Sequence, residues 1–461
     1  MRAAAGLLVS LVVGLAGCAL TIDAAPVNRS APVRSERGAQ PARNILGENV
    51  VALSFSGGGL RAAAFSFGVL KALQQSGDGV LGDVAFVSSV SGGSLTAAYF
   101  GLNGEPGLAD YRERVLLRDM ERGMRMSAFS PENLLRMLGG GINDRSNLGN
   151  WLDKEVFRGA TFADLYRRGK PDVWINATDL YNRTPFPFIP PLFNALCSDL
   201  ASFPISEAVQ ASMAVPLVFS PVVLKTFPDA CGDTPPPWLD RVADGRSESL
   251  ILGAAARAVR HYRDPSVMRY VKLVDGGVTD NYGLSSILIS RAASTTGYGP
   301  MTPRDAVRVR RLLFLVVDAG RRPAGEWALE LAGPSGFDVA MASTDSAIDA
   351  ASRLGFEAFR QALADWRTRI VTFRCGLARA ELDPLRGSTD APWQCDDVQI
   401  ELGLLSFDDL GPQRADALNG IDTRLTLPVE QIDAAIEGGR DAALRSPALK
   451  RYLAERTNDR R

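Results

Sequence analysis

Short apolar runs with strand character recur along this chain, and between many of them lie segments whose apolar residues return at helical spacing. The runs are Val50 to Phe55, Asp83 to Ser88, Val173 to Ala177, Leu217 to Val223, Val271 to Val274, Leu312 to Val317, Ile370 to Phe373 and Val398 to Leu402. Helical patterns cover Arg61 to Gln75, Gly93 to Phe100, Ile205 to Ala214, Tyr282 to Ala292 and Phe337 to Trp366. Such alternation admits few architectures, because parallel neighbours need crossover connections, and crossover helices cover the sheet. The expected fold is therefore α/β, in three layers, with a mainly parallel central sheet and helices on both faces. Residues Gly101 to Lys170 are more helical and charged and are broken at Gly139-Gly140-Gly141, so they are expected as a helical insertion or cap. No internal repeat is visible, and 461 residues with 46% hydrophobic content suffice for one large core.

The amino terminus has its own character. Met1-Arg2 precedes an apolar stretch from Ala3 to Ala16, short for a spanning helix and interrupted by Gly6 and Gly14, which is the pattern of a secretion signal. Its end, Leu15-Ala16-Gly17-Cys18, resembles the lipobox of bacterial lipoproteins, in which the cysteine becomes the lipidated first residue; a plain signal peptide and an uncleaved anchor are the alternatives. The lipobox reading implies attachment to a membrane through a multiply acylated Cys18. Ala19 follows, where Asp would retain some lipoproteins at the inner membrane, so the expected place is the bacterial cell envelope, on the outer membrane facing the periplasm. From Thr21 to about Glu48 the composition turns to Ala, Pro, Arg and Ser without periodicity, as a flexible tether would.

A formal net charge of -1 and the lack of long Lys/Arg runs give no electrostatic footprint for nucleic acid and no basic patch for anionic membranes. With Cys18 set aside, Cys197, Cys231, Cys375 and Cys395 remain. Short loops favour the pairs Cys197–Cys231 and Cys375–Cys395, with free buried thiols as the alternative. No Cys/His spacing suggests a metal site, and nothing implies a cofactor.

Three segments carry chemistry. Ser88-Ser89-Val90-Ser91-Gly92-Gly93-Ser94 follows the apolar run Val84 to Val87 and reads as a serine on a sharp strand-to-helix turn. Ser89 stands where the G-x-S-x-G signature has its first glycine and adds steric load there. The first strand ends in Ser56-Gly57-Gly58-Gly59-Leu60-Arg61, leaving amides uncovered at a helix N-terminus, where an anion is favoured. Gly57, Gly59 and Ala62 fit a dinucleotide fingerprint, but no acidic residue ends the second strand; the other use of such amides is to stabilise an acyl-transfer oxyanion. Asp275-Gly276-Gly277 directly follows the strand Val271 to Val274, at a sheet edge or as a bare turn. The single histidine, His261, sits in Arg260-His261-Tyr262-Arg263, which reads as a solvated surface, so a base other than histidine is expected for Ser91.

Taken in order, Gly57-Gly58-Gly59 with Arg61, then Ser91, then Asp275-Gly276-Gly277, the chain resembles the patatin-like phospholipase family, whose fold also occurs in cytosolic phospholipase A2. Weaker support comes from Ile175-Asn176-Ala177-Thr178-Asp179 and Ala211-Ser212-Met213-Ala214-Val215-Pro216. The resemblance implies a Ser91–Asp275 catalytic dyad without histidine, with the Gly57, Gly58 and Gly59 amides as oxyanion hole. It implies a lipid acyl hydrolase of phospholipase A or esterase type acting on a phospholipid or another acyl ester. A catalytically inactive lipid-binding lipoprotein and a thioesterase or small-ester esterase are the alternatives. Plant-type members have Asp and Gly where this chain has Ser56 and Ser89, and the run around Arg61 is closer to the cytosolic phospholipase version. Arg61 is expected either to meet a substrate phosphate or to serve as a structural charge. Thr184 to Phe193, rich in Pro and Phe, is expected to line an acyl pocket, touch lipid or tuck into the core. The resulting organisation is a leader at residues 1–18, a tether at 19–48, a patatin-like domain at 49–445 and a charged tail at 446–461.

Overall fold

In the computed structural model, residues 24–31 and 46–458 are described, apart from 78, 123, 126–130, 146, 231–236, 244–248, 323–325, 330, 332 and 388–392. Among them are ten strands, of which β3 and β5 fall outside the apolar runs: β1 (Asn49–Phe55), β2 (Val84–Val90), β3 (Gly141–Asn143), β4 (Asp172–Asp179), β5 (Thr184–Pro187), β6 (Leu217–Phe219), β7 (Val222–Lys225), β8 (Tyr270–Asp275), β9 (Arg311–Val317) and β10 (Gln399–Leu405). Eight make one sheet in the order β10-β9-β1-β2-β4-β8-β7, with β5 also on β4, while β3 pairs with β6. From β10 to β4 every pairing is parallel, and β5, β8 and β7 join antiparallel. β9 is buried at every residue, as a parallel strand covered on both faces must be.

The helices used below are α1 (Gly59–Gln75), α2 (Gly92–Asn103), α3 (Ile205–Ser212), α4 (Leu250–Arg263), α5 (Ser285–Ala293), α6 (Gly336–Cys375), α7 (Val429–Arg445) and α8 (Pro447–Asn458). Alternate residues of β1 face opposite ways, as the strand period requires. Val51, Leu53 and Phe55 join the larger core with α1, α2 and α7, whereas Val50 and Ala52 join Phe314, Phe359, Leu363 and Trp366 beneath α6. This is the expected three-layer arrangement. α1 crosses α7 backbone to backbone: a Cβ on Gly68 would lie 2.0 Å from the Ile436 carbonyl, and one on Gly439 1.9 Å from that of Phe65.

Several boundaries differ from the sequence reading, each for a local reason. Ile370 to Phe373 is not a strand but the end of the 40-residue α6. Its β-branched residues mimic a strand, yet Ile370 continues the buried helical stripe Phe359, Leu363, Trp366. Leu217 to Val223 splits at Pro221, which cannot donate to a ladder, so β6 leaves to pair with β3 and β7 joins the main sheet. The helix expected from Tyr282 to Ala292 starts three residues later, as α5, because Gly283 at φ 68° interrupts the chain after a single turn at Gly277–Asp280. Between Gly101 and Lys170 lie short helical turns and β3, with Tyr111, Val115, Leu148, Leu152 and Phe157 buried in the larger core.

Both ends of the chain contribute more than expected. The segment read as a charged tail is α8, which buries Leu449 and Tyr452 and ties Arg456 to Asp83 at 3.0 Å, so the folded domain runs past residue 445. The described part of the tether is docked from Val27 to Ala31. Val27 N–H donates to the Val223 carbonyl of β7, Lys225 N–H donates to Asn28 Oδ1, and Ala31 N–H donates to the Cys197 carbonyl.

Candidate active site

β2 ends at Val90 and α2 begins at Gly92, leaving Ser91 alone in the turn at φ 50°, ψ -126°. A non-glycine residue rarely holds such a backbone unless its surroundings over-determine it. Here Ser91 N–H donates to Ser212 Oγ at 2.8 Å, and Ser212 Oγ in turn donates to the Asn176 carbonyl at 2.6 Å. Ser94 N–H closes the turn on the Ser91 carbonyl. The flanking glycines are required by close approach: a Cβ on Gly92 would lie 1.8 Å from the Gly59 carbonyl oxygen, and one on Gly93 2.6 Å from that of Ser56. Ser89 carries no such load. It lies within β2 and turns its hydroxyl to the Trp174 carbonyl on β4 at 3.1 Å.

Asp275 closes β8 opposite Ala177. Its N–H donates to the Ala214 carbonyl, and a Cβ on Gly276 would meet the Asn176 carbonyl at 2.3 Å, so the carboxylate is delivered by a backbone with little room to move. Oδ1 accepts the Gly277 N–H at 2.8 Å, and Oδ2 accepts the Ser91 hydroxyl at 2.7 Å. Burial pushes this carboxyl up to about 6, with the bonds from Ser91 and Gly277 opposing the rise. Ser91 and Asp275 touch directly, so no histidine stands between them. His261 is elsewhere, on α4, with Nδ1 2.6 Å from Asn182 Oδ1 and its ring against Tyr181.

The glycine loop approaches from β1; a Cβ on Gly57 would lie 3.2 Å from Ser91 Cβ. Its three amides are not equivalent. Gly57 N–H is already spent on Asn281, donating to both the main-chain carbonyl and Oδ1 at 3.2 Å, which removes it from the expected oxyanion set. The amides of Gly58 and Gly59, at φ 135° and 61°, have no acceptor among the described residues and open α1, whose N-terminal dipole favours negative charge. A hydroxyl, a carboxylate poised to take its proton and free amides on one sheet edge are the parts of acyl transfer through a serine ester.

Arg61 corrects the expectation of phosphate binding. The residue is 1% exposed, and its Nε and Nη2 donate to the Ala319 carbonyl at 3.1 and 3.0 Å while Nη1 donates to the Ile421 carbonyl. Burial, then Arg321, lower the guanidinium to about 10, which leaves it charged at neutral pH. It pins the glycine loop from beneath, and Leu60 N–H on the Arg424 carbonyl holds the same loop from the side. Arg61→Lys replaces a fork by a point donor and strands buried carbonyls. It should cost about 3 kcal/mol of unfolding free energy, read from the urea midpoint at constant slope. An unchanged midpoint would mean that the guanidinium does not hold these carbonyls.

Cys375 and Cys395 are bonded, tying the end of α6 to the approach to β10. Cys197 is also in a disulfide, but its expected partner Cys231, like Cys18, lies outside the described residues. Phe186, Phe188 and Phe193 of the proline-rich loop are buried in one aromatic cluster with Phe203, which leaves them packed in the core. Sequence reasoning quoted the segments of Ser212 and Asn176 without giving either a role. Asn281, in the loop after Asp275, engages the glycine loop through both its side chain and its carbonyl. Small polar residues beside the three motifs were the only signal.

A family model described as patatin-like phospholipase matches residues 53–288, a span that holds the glycine loop, Ser91 and Asp275. No curated protein matches the chain. Among solved structures, the human GIVD cytosolic phospholipase A2 is similar at 15% identity and a TM-score of 0.37, over 88% of this chain and 63% of that one. VipD from Legionella pneumophila is similar at 14% identity and a TM-score of 0.33, over 96% of this chain and 73% of that one. The chain thus spans less than two thirds of the human protein's length.

Proposed function

The chain belongs to the patatin-like phospholipase family, and from that membership we propose that it is a lipid acyl hydrolase whose nucleophile is Ser91 and whose base is Asp275. The observation that carries this reading is the 2.7 Å bond from Ser91 Oγ to Asp275 Oδ2. In the proposed reaction Asp275 takes the hydroxyl proton as Ser91 Oγ attacks an ester carbonyl. The amides of Gly58 and Gly59 receive the oxyanion, and the tetrahedral species collapses as Asp275 returns the proton to the departing alcohol. Water then gives a proton to the same carboxylate, attacks the acyl-enzyme and releases a fatty acid and free Ser91. The substrate class is a phospholipid or another acyl-ester lipid, and no cofactor enters a step. The lipobox reading of Cys18 adds attachment to the bacterial envelope, at the outer membrane facing the periplasm, close to such lipids.

A panel of defined phospholipids and simple esters tests the reading, with released fatty acid as the readout. A fluorophosphonate probe should modify native protein at Ser91, located by peptide mass spectrometry. Native protein that releases no fatty acid and takes no label at Ser91 would refute it. The base also sets a pH profile. With its carboxyl at about 6, Asp275 is ionised and able to accept a proton above that pH and is neutral below it. Turnover of a soluble ester should therefore rise about tenfold per pH unit on the acid side and level off above about 6. A midpoint near the ordinary carboxylate range would mean that the base is solvated during catalysis.

A further inference from the structure

Beyond residue 288 the chain builds a structure that stands over the catalytic edge of the sheet. α6 runs antiparallel to β9. Near its end Arg374 Nη1 donates to the Val309 carbonyl, just before β9, and Phe359 packs edge-on to Phe314 at its middle. At the other end of β9, Tyr282 donates to Asp318 at 2.8 Å, and Asp349 of α6 lies close enough to raise both groups electrostatically. The thirteen residues from Asp349 back to Gly336 therefore carry the helix about 20 Å past the edge where Ser91 and Asp275 sit.

This projecting end and the segment before it expose apolar side chains. Leu329 is 91% exposed and Leu331 fully so, and Trp327, Val339 and Met341 are also open to solvent. A cluster of this size at one tip marks a contact surface. Its charge restricts what the contact can be, since from Pro323 to Ser352 the sequence contains no lysine or arginine and carries Glu326, Glu330, Asp338, Asp345 and Asp349. An anionic surface would be repelled. A protein seated there would stand between Ser91 and its substrate, whereas a lipid surface would bring the substrate.

We propose that Trp327, Leu329 and Leu331, with Val339 and Met341 on the projecting end of α6, form a docking face for an electrically neutral lipid surface at the mouth of the site. The proposal rests on the acyl-hydrolase reading. It is tested with the full chain carrying Cys18→Ser, so that no lipid anchor contributes, on vesicles of dioleoylphosphatidylcholine alone or mixed with dioleoylphosphatidylglycerol. Leu329→Asp with Leu331→Asp alters side chains that are almost wholly solvated, so the fold is kept. The pair should lower partition onto the neutral vesicles at least about tenfold and lower hydrolysis of vesicle lipid with it, while turnover of a soluble short-chain ester is unchanged. Partition that ignores the double substitution overturns the proposal and leaves the face to a protein partner. Binding that requires the anionic lipid overturns it too, as does an equal loss on the soluble ester, which would place the leucines in the site itself. If native protein binds vesicles and the double variant does not, yet neither hydrolyses any ester, the docking face stands and the acyl-hydrolase reading fails.

Discussion

Ser91→Ala should reduce ester hydrolysis by a factor of about 1,000 or more while the protein stays folded. The substitution removes the only atom of Ser91 that reaches Asp275 and leaves its N–H on Ser212 and its carbonyl under Ser94 in place. Alanine accepts φ 50° no better than serine does, so the turn's strain is unchanged. Asp275→Asn should be about as damaging. Its amide oxygen will face the Gly277 N–H and its NH2 will face Ser91, giving the hydroxyl no acceptor for its proton. The two variants differ in stability. Burial raises the Asp275 carboxyl in the folded state, so the favourable neutral form is retained at low pH and its contribution is lost as pH rises from the unfolded value through about 6. At pH 8 Asp275→Asn should therefore unfold at higher urea than the native protein, by about 1–3 kcal/mol, and at pH 4 the difference should shrink. More than about 1% of native turnover surviving in either variant would dismiss the dyad.

Gly92→Ala is expected to damage the site without touching a reacting atom. A methyl there would lie 1.8 Å from the Gly59 carbonyl, so the nucleophile turn and the amide-bearing loop cannot both keep their positions. Neither neighbour can yield cheaply, because the loop is held by Arg61 beneath and by Arg424 at its side. Turnover should fall at least about 100-fold and stability by about 3 kcal/mol or more, as overpacking against backbone does. Gly82→Ala is the matched control, since nothing lies within 4 Å of its added methyl. Turnover within about threefold of native in Gly92→Ala would mean that the two segments do not approach each other so closely.

How much of this was legible in the sequence varied with the range of the interaction. β1, β2, β4 and β9 announce themselves because a strand covered on both faces must be largely apolar, β8 because Val271, Leu273 and Val274 are apolar ahead of Asp275, and the three motifs because turns at the ends of such strands demand glycine. Ile370 to Phe373 misled because β-branched residues on a buried helix stripe look the same over four positions. The role of Arg61 was out of reach for a different reason: its acceptors are main-chain carbonyls 258 and 360 residues away, and a carbonyl has no sequence signature. The loss of Gly57 from the oxyanion set is of the same kind, since it depends on a fold that returns Asn281 to the first loop. α8 was read as a tail because its charges are conspicuous and Leu449 and Tyr452 are few.

The distance between Arg61 and its acceptors also bears on when the protein becomes active. Ser91, Asp275 and the glycine loop all lie in the first 281 positions, but the loop takes its shape from Ala319, Ile421 and Arg424. β1 is likewise left with an open edge until β9 is laid beside it. A ribosome that has finished residue 300 has therefore produced every reacting group, while the glycine loop still lacks the carbonyls that pin it. The shape of the glycine loop is thus completed only when Ala319, Ile421 and Arg424 fold back onto it, well after the groups it serves have been made.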